Sequence, residues 1–451
     1  MHRRDADASI SVTSMSQPQP ESQPPSPDAI AATAVPNYLE LAPQTMEQLV
    51  AVATEARVKD AALLSKPELI IRLLSTRAAE VGLLYGEGTL ETMPNGFGFL
   101  RFSRNNYLPS DQDIYLSPAQ IREFEMLTGD TVTGVVRAPR DRERFFAMVR
   151  VDAVNHVSGE AMRGRKQFDN LTPCFPDKRF ILEMASDEIS MRVLDLFTPL
   201  GKGQRALIVA PPRAGKTVLL QKIANSIARH SPDAYVIFLL VDERPEEVTD
   251  TIRNCKAAEV ISSTFDERPQ RHVEVSEMVF EKAKRLVECK KDVVILLDSI
   301  TRLARAYNIL APQGGKTMSG GMDSAALAKP KKFFGAARNT EEGGSLTIVA
   351  TALVETGSRM DELIFEEFKG SGNMEMVLDS YLANRRIFPA INILRSATRN
   401  EEALYHPDEL ARIHNIRQAM GALPYAEAVE VVMKQIKATK SNAEFLLTVR
   451  F

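Results

Sequence analysis

The sequence predicts an α/β chain in which a largely parallel sheet bearing a phosphate-binding loop follows a small helical unit and a small β-barrel. Three observations carry this. The stretch ALIVAPPRAGKT (206–217) passes from an apolar segment through Pro211-Pro212 to Gly215-Lys216-Thr217 and then into helical periodicity, the strand–loop–helix context such a loop requires. Downstream, apolar runs of strand length alternate with helical stretches such as VEVSEMVFEKAKRLVEC, which is the pattern of a parallel sheet wrapped by helices. Upstream, between about 85 and 156, short apolar or aromatic runs alternate with turn signals such as Asn95-Gly96 and Thr128-Gly129-Asp130.

Composition narrows the function classes. The 451 residues are 44% apolar and 25% charged, enough for two or three domains with their own cores. No run approaches the ~18 apolar residues of a membrane span, and the opening MHRRDADASISVTSMSQ lacks the apolar centre of a secretory signal. A cytoplasmic location and no membrane partner are expected. Cys174, Cys255 and Cys289 are odd in number and far apart, which argues against a disulfide framework or a zinc site. A formal net charge of −3 excludes a protein that coats nucleic acid by charge alone, so any nucleic-acid site is local.

Taken in order, residues 1–40 are rich in Ser, Pro, Gln and Ala, as in SQPQPESQPPSPDA, and are expected to be a disordered tail. Residues 41–84 carry apolar positions at helical spacing, with Ser65-Lys66-Pro67 able to start a helix. Residues 85–156 hold about five short strands, consistent with a small barrel of which the OB-fold is a common version. Residues 157–190 read as a connector. Residues 191–451 hold the sheet, with candidate strands ALIVA, YVIFLLVD, EVISS, VVILLD, LTIVATAL and FPAINI.

The phosphate loop presents backbone N–H groups and the positive end of a helix dipole to a nucleotide. Lys216 reaches the β- and γ-phosphates and the Thr217 hydroxyl takes Mg²⁺. Ala210 stands where the motif's first Gly usually stands. Asp298, ending VVILLD, is placed to hold Mg²⁺ or to cap a turn. Glu243, in Asp242-Glu243-Arg244, either polarises the attacking water or belongs to a solvated turn. Arg399, Arg385 and Arg386 are candidates for a cation on the transferring phosphoryl group, or for surface salt bridges. A second Gly-Lys-Thr, at 315–317, lacks a preceding strand, so Lys316 belongs to a mobile Gly-rich loop that grips a phosphate backbone or merely connects.

In NGFGFLRF the two-residue period of a strand puts Phe97, Phe99 and Arg101 on one face. Such a face stacks single-stranded bases at about 1–3 kcal/mol per base, with Tyr115 and Arg144-Phe145 able to extend it. The competing assignment is barrel core.

GFGFLR, APPRAGKT, LLVDERPEEVTD, ILLDSITRLARAY, FFGAARN, EEGGSLTI, EEFKGSGNMEM and RSATRNEE occur in order, and over about 400 residues the chain resembles the bacterial transcription termination factor Rho family. The resemblance implies a homohexameric RecA-like P-loop ATPase with an OB-fold (cold-shock-like) barrel, using ATP and Mg²⁺ to move 5′ to 3′ on RNA. Its implied partners are single-stranded cytosine-rich RNA, the RNA polymerase elongation complex and an elongation factor of the NusG type. By position it implies Arg213, Ala214, Gly215, Lys216, Thr217, Val218, Arg244 and Phe388 at the nucleotide, Phe388 packing on adenine and Arg213 standing where many relatives have Lys. It implies Thr217 and Asp298 at Mg²⁺, Glu243 as water activator and Arg399 as arginine finger. It implies Phe97, Phe99, Arg101, Asp113, Tyr115, Glu143, Arg144 and Phe145 at the primary RNA site, with Phe145 where Tyr is common. Lys316, Thr317, Ser319 and Arg359 fall at a secondary RNA site facing the pore. The other classes considered are a rotary ATP-synthase-type subunit, in which the aromatic barrel has no role, and a passive RNA chaperone, in which the ATP site has none.

Overall fold

The structure, a computed structural model, describes residues 27–312 and 318–449. Strands β1 (Leu84–Thr92), β2 (Gly98–Arg101), β3 (Ile114–Leu116), β4 (Thr131–Arg137) and β5 (Phe146–Val154) close a barrel in the order β1-β2-β3-β5-β4. Every pairing is antiparallel except β3 with β5. This is an OB-fold barrel. Alternation along β2 sends Leu100 into an interior shared with Leu90, Ile114, Leu116 and Val132. The neighbouring Phe97 and Phe99 are left outside that core.

Helices Met46–Glu55 and Lys66–Glu80 precede the barrel, each opened by a capping box, Thr45 with Gln48 and Ser65 with Glu68. Their apolar faces join Leu49, Leu69, Ile70, Leu73 and Leu74 in one cluster that also takes Tyr85 and Val135 from the barrel. The expected disordered tail is corrected here for residues 27–40. That segment forms helices Pro27–Ala32 and Tyr38–Leu41, because Ala32, Val35 and Tyr38 bury against the same cluster. Tyr38 N–H also donates to Asp152 at 3.4 Å.

The larger unit contains β6 (Pro173–Cys174), β7 (Arg205–Ala210), β8 (Tyr235–Glu243), β9 (Glu259–Thr264), β10 (Asp292–Asp298), β11 (Arg338–Thr340), β12 (Ser345–Leu353), β13 (Met374–Val377) and β14 (Ala397–Thr398). The sheet runs β14-β13-β7-β12-β10-β8-β9, with β6 and β11 attached beside β12. From β13 to β9 all neighbours are parallel. Strands covered by helices on both faces read as unbroken apolar runs. One face packs Leu219, Leu220 and Ile223 against Ile208 and Phe238, and the other packs Val275, Val279 and Leu303 against Leu239 and Ile295.

The parallel arrangement brings the carboxyl ends of β7, β8, β10 and β12 to one edge, where open α/β sheets place their sites. FPAINI is not a strand, a second correction. Pro389 has no N–H for a ladder, and the segment touches β13 only through a bridge between Leu378 and Ile391.

The barrel is seated on the sheet domain by buried polar contacts. Tyr107, from the β2–β3 loop, donates to Glu259, which also takes Lys282 Nζ at 2.8 Å and Tyr235 Oη at 2.6 Å. Asn106 Oδ1 accepts Ser262 N–H at 2.9 Å, and Arg271 donates to the Asn106 carbonyl. Arg165 spans from Asp130 of the barrel (2.6 Å) to Glu288 (3.1 Å). Gly129, with φ +96, lies so close that an added Cβ falls 2.4 Å from the Glu281 carbonyl carbon. No larger residue fits.

Candidate active site and nucleic-acid interface

Gly215 caps the helix Lys216–His230 with φ 90 and ψ 25, a conformation that glycine adopts without steric cost. Ala210, by contrast, ends β7 in register with Leu353 and is fully buried. It needs no positive φ, so the departure from the usual Gly is accommodated.

The first side chain of that helix is the hub of the site. Lys216 Nζ lies 2.6 Å from Asp298 Oδ1 and 2.8 Å from Glu243 Oε1. Thr217 Oγ1 donates to Asp298 Oδ2 at 2.9 Å, and Thr351 Oγ1 donates to Asp298 Oδ1 at 2.7 Å. Glu243 reaches this position because β8 is irregular between Val241 and Glu243, with Asp242 at φ 58. The bulge turns Glu243 inward, 2% exposed, and leaves Asp242 to pair with Arg302 at 2.8 Å.

Burial, reinforced by the Asp298 charge, pushes the Glu243 carboxyl up to about 7, against the opposing pull of Lys216. Burial works against the Lys216 ammonium, but Asp298 and Glu243 together hold its pKa above the ordinary value. Two hard oxygen groups, the Thr217 hydroxyl and the Asp298 carboxylate, therefore face a lysine and a carboxylate titrating near neutrality. That donor set suits Mg²⁺.

Beside the loop a cleft of about 300 Å³ is lined by Arg213, Ala214, Gly215, Val218, Lys222, Phe388 and Ala390. Val218 is 55% and Phe388 46% exposed, so the cleft presents two apolar side chains to an incoming ligand. Arg244 is exposed at the start of the helix Pro245–Asn254.

Arg399 is not brought to this cluster. Its N–H donates to the Asn373 carbonyl at 2.8 Å, before β13 begins, and the adjoining Thr398 registers through Met374 with Ala206, the opposite end of β7 from the loop. Arg385 lies 3.6 Å from Glu430. The turn Ser319–Gly321 packs against the start of the helix Arg359–Lys369, where Arg359 is exposed. Lys316 and Thr317 lie outside the described residues.

On the barrel, aromatic rings gather on the outer face of β2 and β3. Phe97 sits 5.7 Å from Phe99 and 5.8 Å from Tyr115, and Phe99 sits 4.8 Å from Phe145. Arg101 lies over Phe99 at 5.2 Å and Arg144 over Phe145 at 5.4 Å. All four rings are half-buried, none in the barrel core. Two members of the predicted set behave differently. Asp113 is completely buried and Arg101 6% exposed. They pair with each other, Arg101 also holding Glu91 at 2.7 Å and Asp113 accepting Ser110 N–H at 2.8 Å. Buried in this way, Asp113 holds the Arg101 guanidinium, which lies over the Phe99 ring. Glu143, Arg144, Tyr115 and Phe145 line a cleft of about 510 Å³ together with Arg137 and Asp28.

Thr351, Arg302, Arg137 and Asp28 were not identified from sequence. Arg302 had a visible signal, lying one helical turn beyond Asp298 in DSITR. Thr351 reaches Asp298 only through the register of β12 with β10, which is non-local.

A phosphate loop, two inward carboxylates on a RecA-like sheet and an aromatic OB-fold barrel define a nucleotide-hydrolysing enzyme with a nucleic-acid-binding module. Sequence models agree: "Rho termination factor, RNA-binding domain" matches residues 86–160 and "ATP synthase alpha/beta family, nucleotide-binding domain" matches residues 190–398. Transcription termination factor Rho of Chromobacterium violaceum is 55% identical over 408 residues, 90% of this chain and 97% of that one. The Thermotoga maritima protein of the same name is 53% identical over 90% of this chain and 95% of its own. The chain belongs to the transcription termination factor Rho family, and it is an ATP-hydrolysing, RNA-binding protein. Among solved structures, a prototypical ATPase of a bacterial type III secretion system shares the fold at TM-score 0.53 and 22% identity, over 62% of this chain and 86% of that one. An ATP synthase subunit, NeqB, does so at 0.51 and 18%, over 62% and 74%. Among the described residues no helix is long and apolar enough to cross a membrane.

Proposed function

We propose that the chain is an RNA-stimulated ATPase that moves 5′ to 3′ along cytosine-rich single-stranded RNA, unwinds RNA–DNA hybrids and dissociates the RNA polymerase elongation complex. The observation that carries this is the seating of an aromatic platform, by buried polar contacts, on the same chain as the Lys216–Glu243–Asp298 cluster.

In this proposal Phe388 and Val218 sandwich the adenine, and the loop N–H groups with Lys216 take the phosphates. Lys216 exchanges its carboxylate partners for phosphate oxygens when nucleotide enters, which frees Glu243 to accept a proton from water. Burial holds that carboxyl above the ordinary carboxylate range, which suits a general base. Thr217 and Asp298 would hold Mg²⁺, which supplies charge neutralisation across the β- and γ-phosphates. Arg213 and Arg244 flank the nucleotide. Arg399, at the far end of its own sheet, acts on the site of a neighbouring subunit in a homohexamer, where its planar cation meets the charge developing on the γ-phosphoryl group.

On the barrel, Phe97, Phe99, Tyr115 and Phe145 stack bases, and Glu143 accepts from the cytosine amino group. Lys316, Thr317, Ser319 and Arg359 grip the strand in the pore. RNA polymerase and an elongation factor of the NusG type are the protein partners.

The test is ATP turnover by the purified protein alone, with cytosine-rich single-stranded RNA, and with DNA of the same sequence. Strong stimulation by RNA only is expected; equal turnover in all three would overturn the coupling of strand to hydrolysis.

A further inference from the structure

Among the described residues, the two guanidiniums that line the 510 Å³ barrel cleft, Arg137 and Arg144, and the nearby Arg140 are each paired with a carboxylate of the chain. Arg144 meets Asp111 at 2.7 Å, and Arg137 meets Glu143 at 2.5 Å. Arg140 meets Asp28, whose Oδ2 also lies 3.8 Å from Arg137 Nε. Asp111 and Glu143 belong to the barrel. Asp28 does not: it precedes the helical unit in sequence and is carried to the cleft by the segment 27–38.

That delivery is built. Ala32, Val35 and Tyr38 are buried, and Arg150 of β5 donates to the carbonyls of Ala32 and Val35. The anchor lies four residues and more beyond Asp28, so the carboxylate is positioned by groups that do not depend on its charge. It then lines the cleft together with Tyr115, Glu143 and Phe145.

We propose that Asp28 is an intrachain competitor for RNA phosphate, a carboxylate that occupies Arg140 and Arg137 at the rim of the base-stacking cleft and must leave before a strand engages them. This rests on the assignment of that cleft as the RNA site. A strand entering the cleft exchanges one anion for another on the same two arginines. Stacking on the rings is untouched, so Asp28 lowers affinity about equally for all sequences and leaves base preference unchanged. The pair is partly exposed, and its effect is screened by salt.

Binding of a fluorescent cytosine-rich RNA oligonucleotide is measured from low to high salt for the full chain and for Asp28→Asn, Asp28→Glu, Arg140→Ala, the Asp28→Asn/Arg140→Ala double variant, and Phe99→Ala. Asp28→Asn is expected to tighten binding about two- to fivefold at low salt, the range an exposed ion pair supports. The gain fades at high salt. Asp28→Glu stays near the parent, and the gain shrinks in the Arg140→Ala background. Should Phe99→Ala weaken binding while Asp28→Asn leaves it unchanged or weakens it, the competitor role is overturned and the cleft assignment survives. Should Phe99→Ala have no effect, the cleft assignment itself falls and the competitor role with it.

Discussion

Lys216 and Asp298 are joined Nζ to Oδ1 across 2.6 Å, so the phosphate loop that follows β7 is tied directly to the end of β10, two strands away in the sheet. The same carboxylate takes the hydroxyls of Thr217 and Thr351. Three elements therefore set one oxygen pair, and a substitution at its centre is felt by all of them. Asp298→Asn is expected to lower saturated ATP turnover by about 10²-fold or more, the scale of losing a preorganised electrostatic group. Turnover at saturating Mg²⁺ and RNA checks this, and a loss below about tenfold contradicts it.

Glu243 gives a pH signature. Its carboxyl is raised to about 7 by burial first and by Asp298 second. A base must be ionised to act, so activity is retained above about 7 and falls as pH drops through that value. A pH profile of kcat/KM checks for an acid limb near 7 rather than near the ordinary carboxylate value. Glu243→Gln is expected to abolish turnover at every pH while nucleotide binding, followed by a fluorescent analogue, persists.

Arg399 lies at the end of the sheet away from its own phosphate loop. Arg399→Ala and Lys216→Ala are each expected to be inactive alone. Mixed within one assembly they are expected to recover measurable turnover, because some sites then combine an intact loop with a neighbour's intact arginine. No recovery in verified mixed assemblies would remove the role of Arg399 across the subunit boundary.

Phe99 touches Phe97, Tyr115 and Phe145 and lies beneath Arg101. Phe99→Ala is expected to weaken single-stranded RNA binding by about 1–3 kcal/mol, the value of one stacked base. Titration of labelled RNA measures it.

Lys282 and Glu259 form a buried ion pair shared by Tyr107 and Tyr235. Removing one partner of such a pair leaves an uncompensated buried charge, at about 3–5 kcal/mol. Lys282→Met is therefore expected to destabilise the seam between barrel and sheet by that amount. Urea unfolding followed with probes on both sides of the seam checks it.

Local signals made much of this molecule legible. The loop was readable because strand, glycine, lysine and helix are consecutive; alternation along one strand put Phe97 and Phe99 on one face, and only the closed barrel shows that this face points outward. Residues joined through tertiary pairing were not. Thr351 needs the β10–β12 register, and the Arg101–Asp113 pair needs β2 beside β3. The segment 27–40 follows a Ser-, Pro- and Gln-rich stretch and shows no apolar period of its own, yet Ala32, Val35 and Tyr38 suffice because an apolar surface already awaits them. FPAINI was apolar without being a strand, since burial against β13 and the Phe388 cleft uses its side chains while Pro389 interrupts its ladder.

The central claim is that ATP held at Lys216 moves RNA engaged by the barrel. Its most direct measurement is displacement of a DNA strand annealed to RNA bearing a cytosine-rich single-stranded tail on either the 5′ or the 3′ side. ATP-dependent displacement from the 5′-tailed substrate alone is predicted. Displacement without ATP, or equally from both substrates, would contradict it.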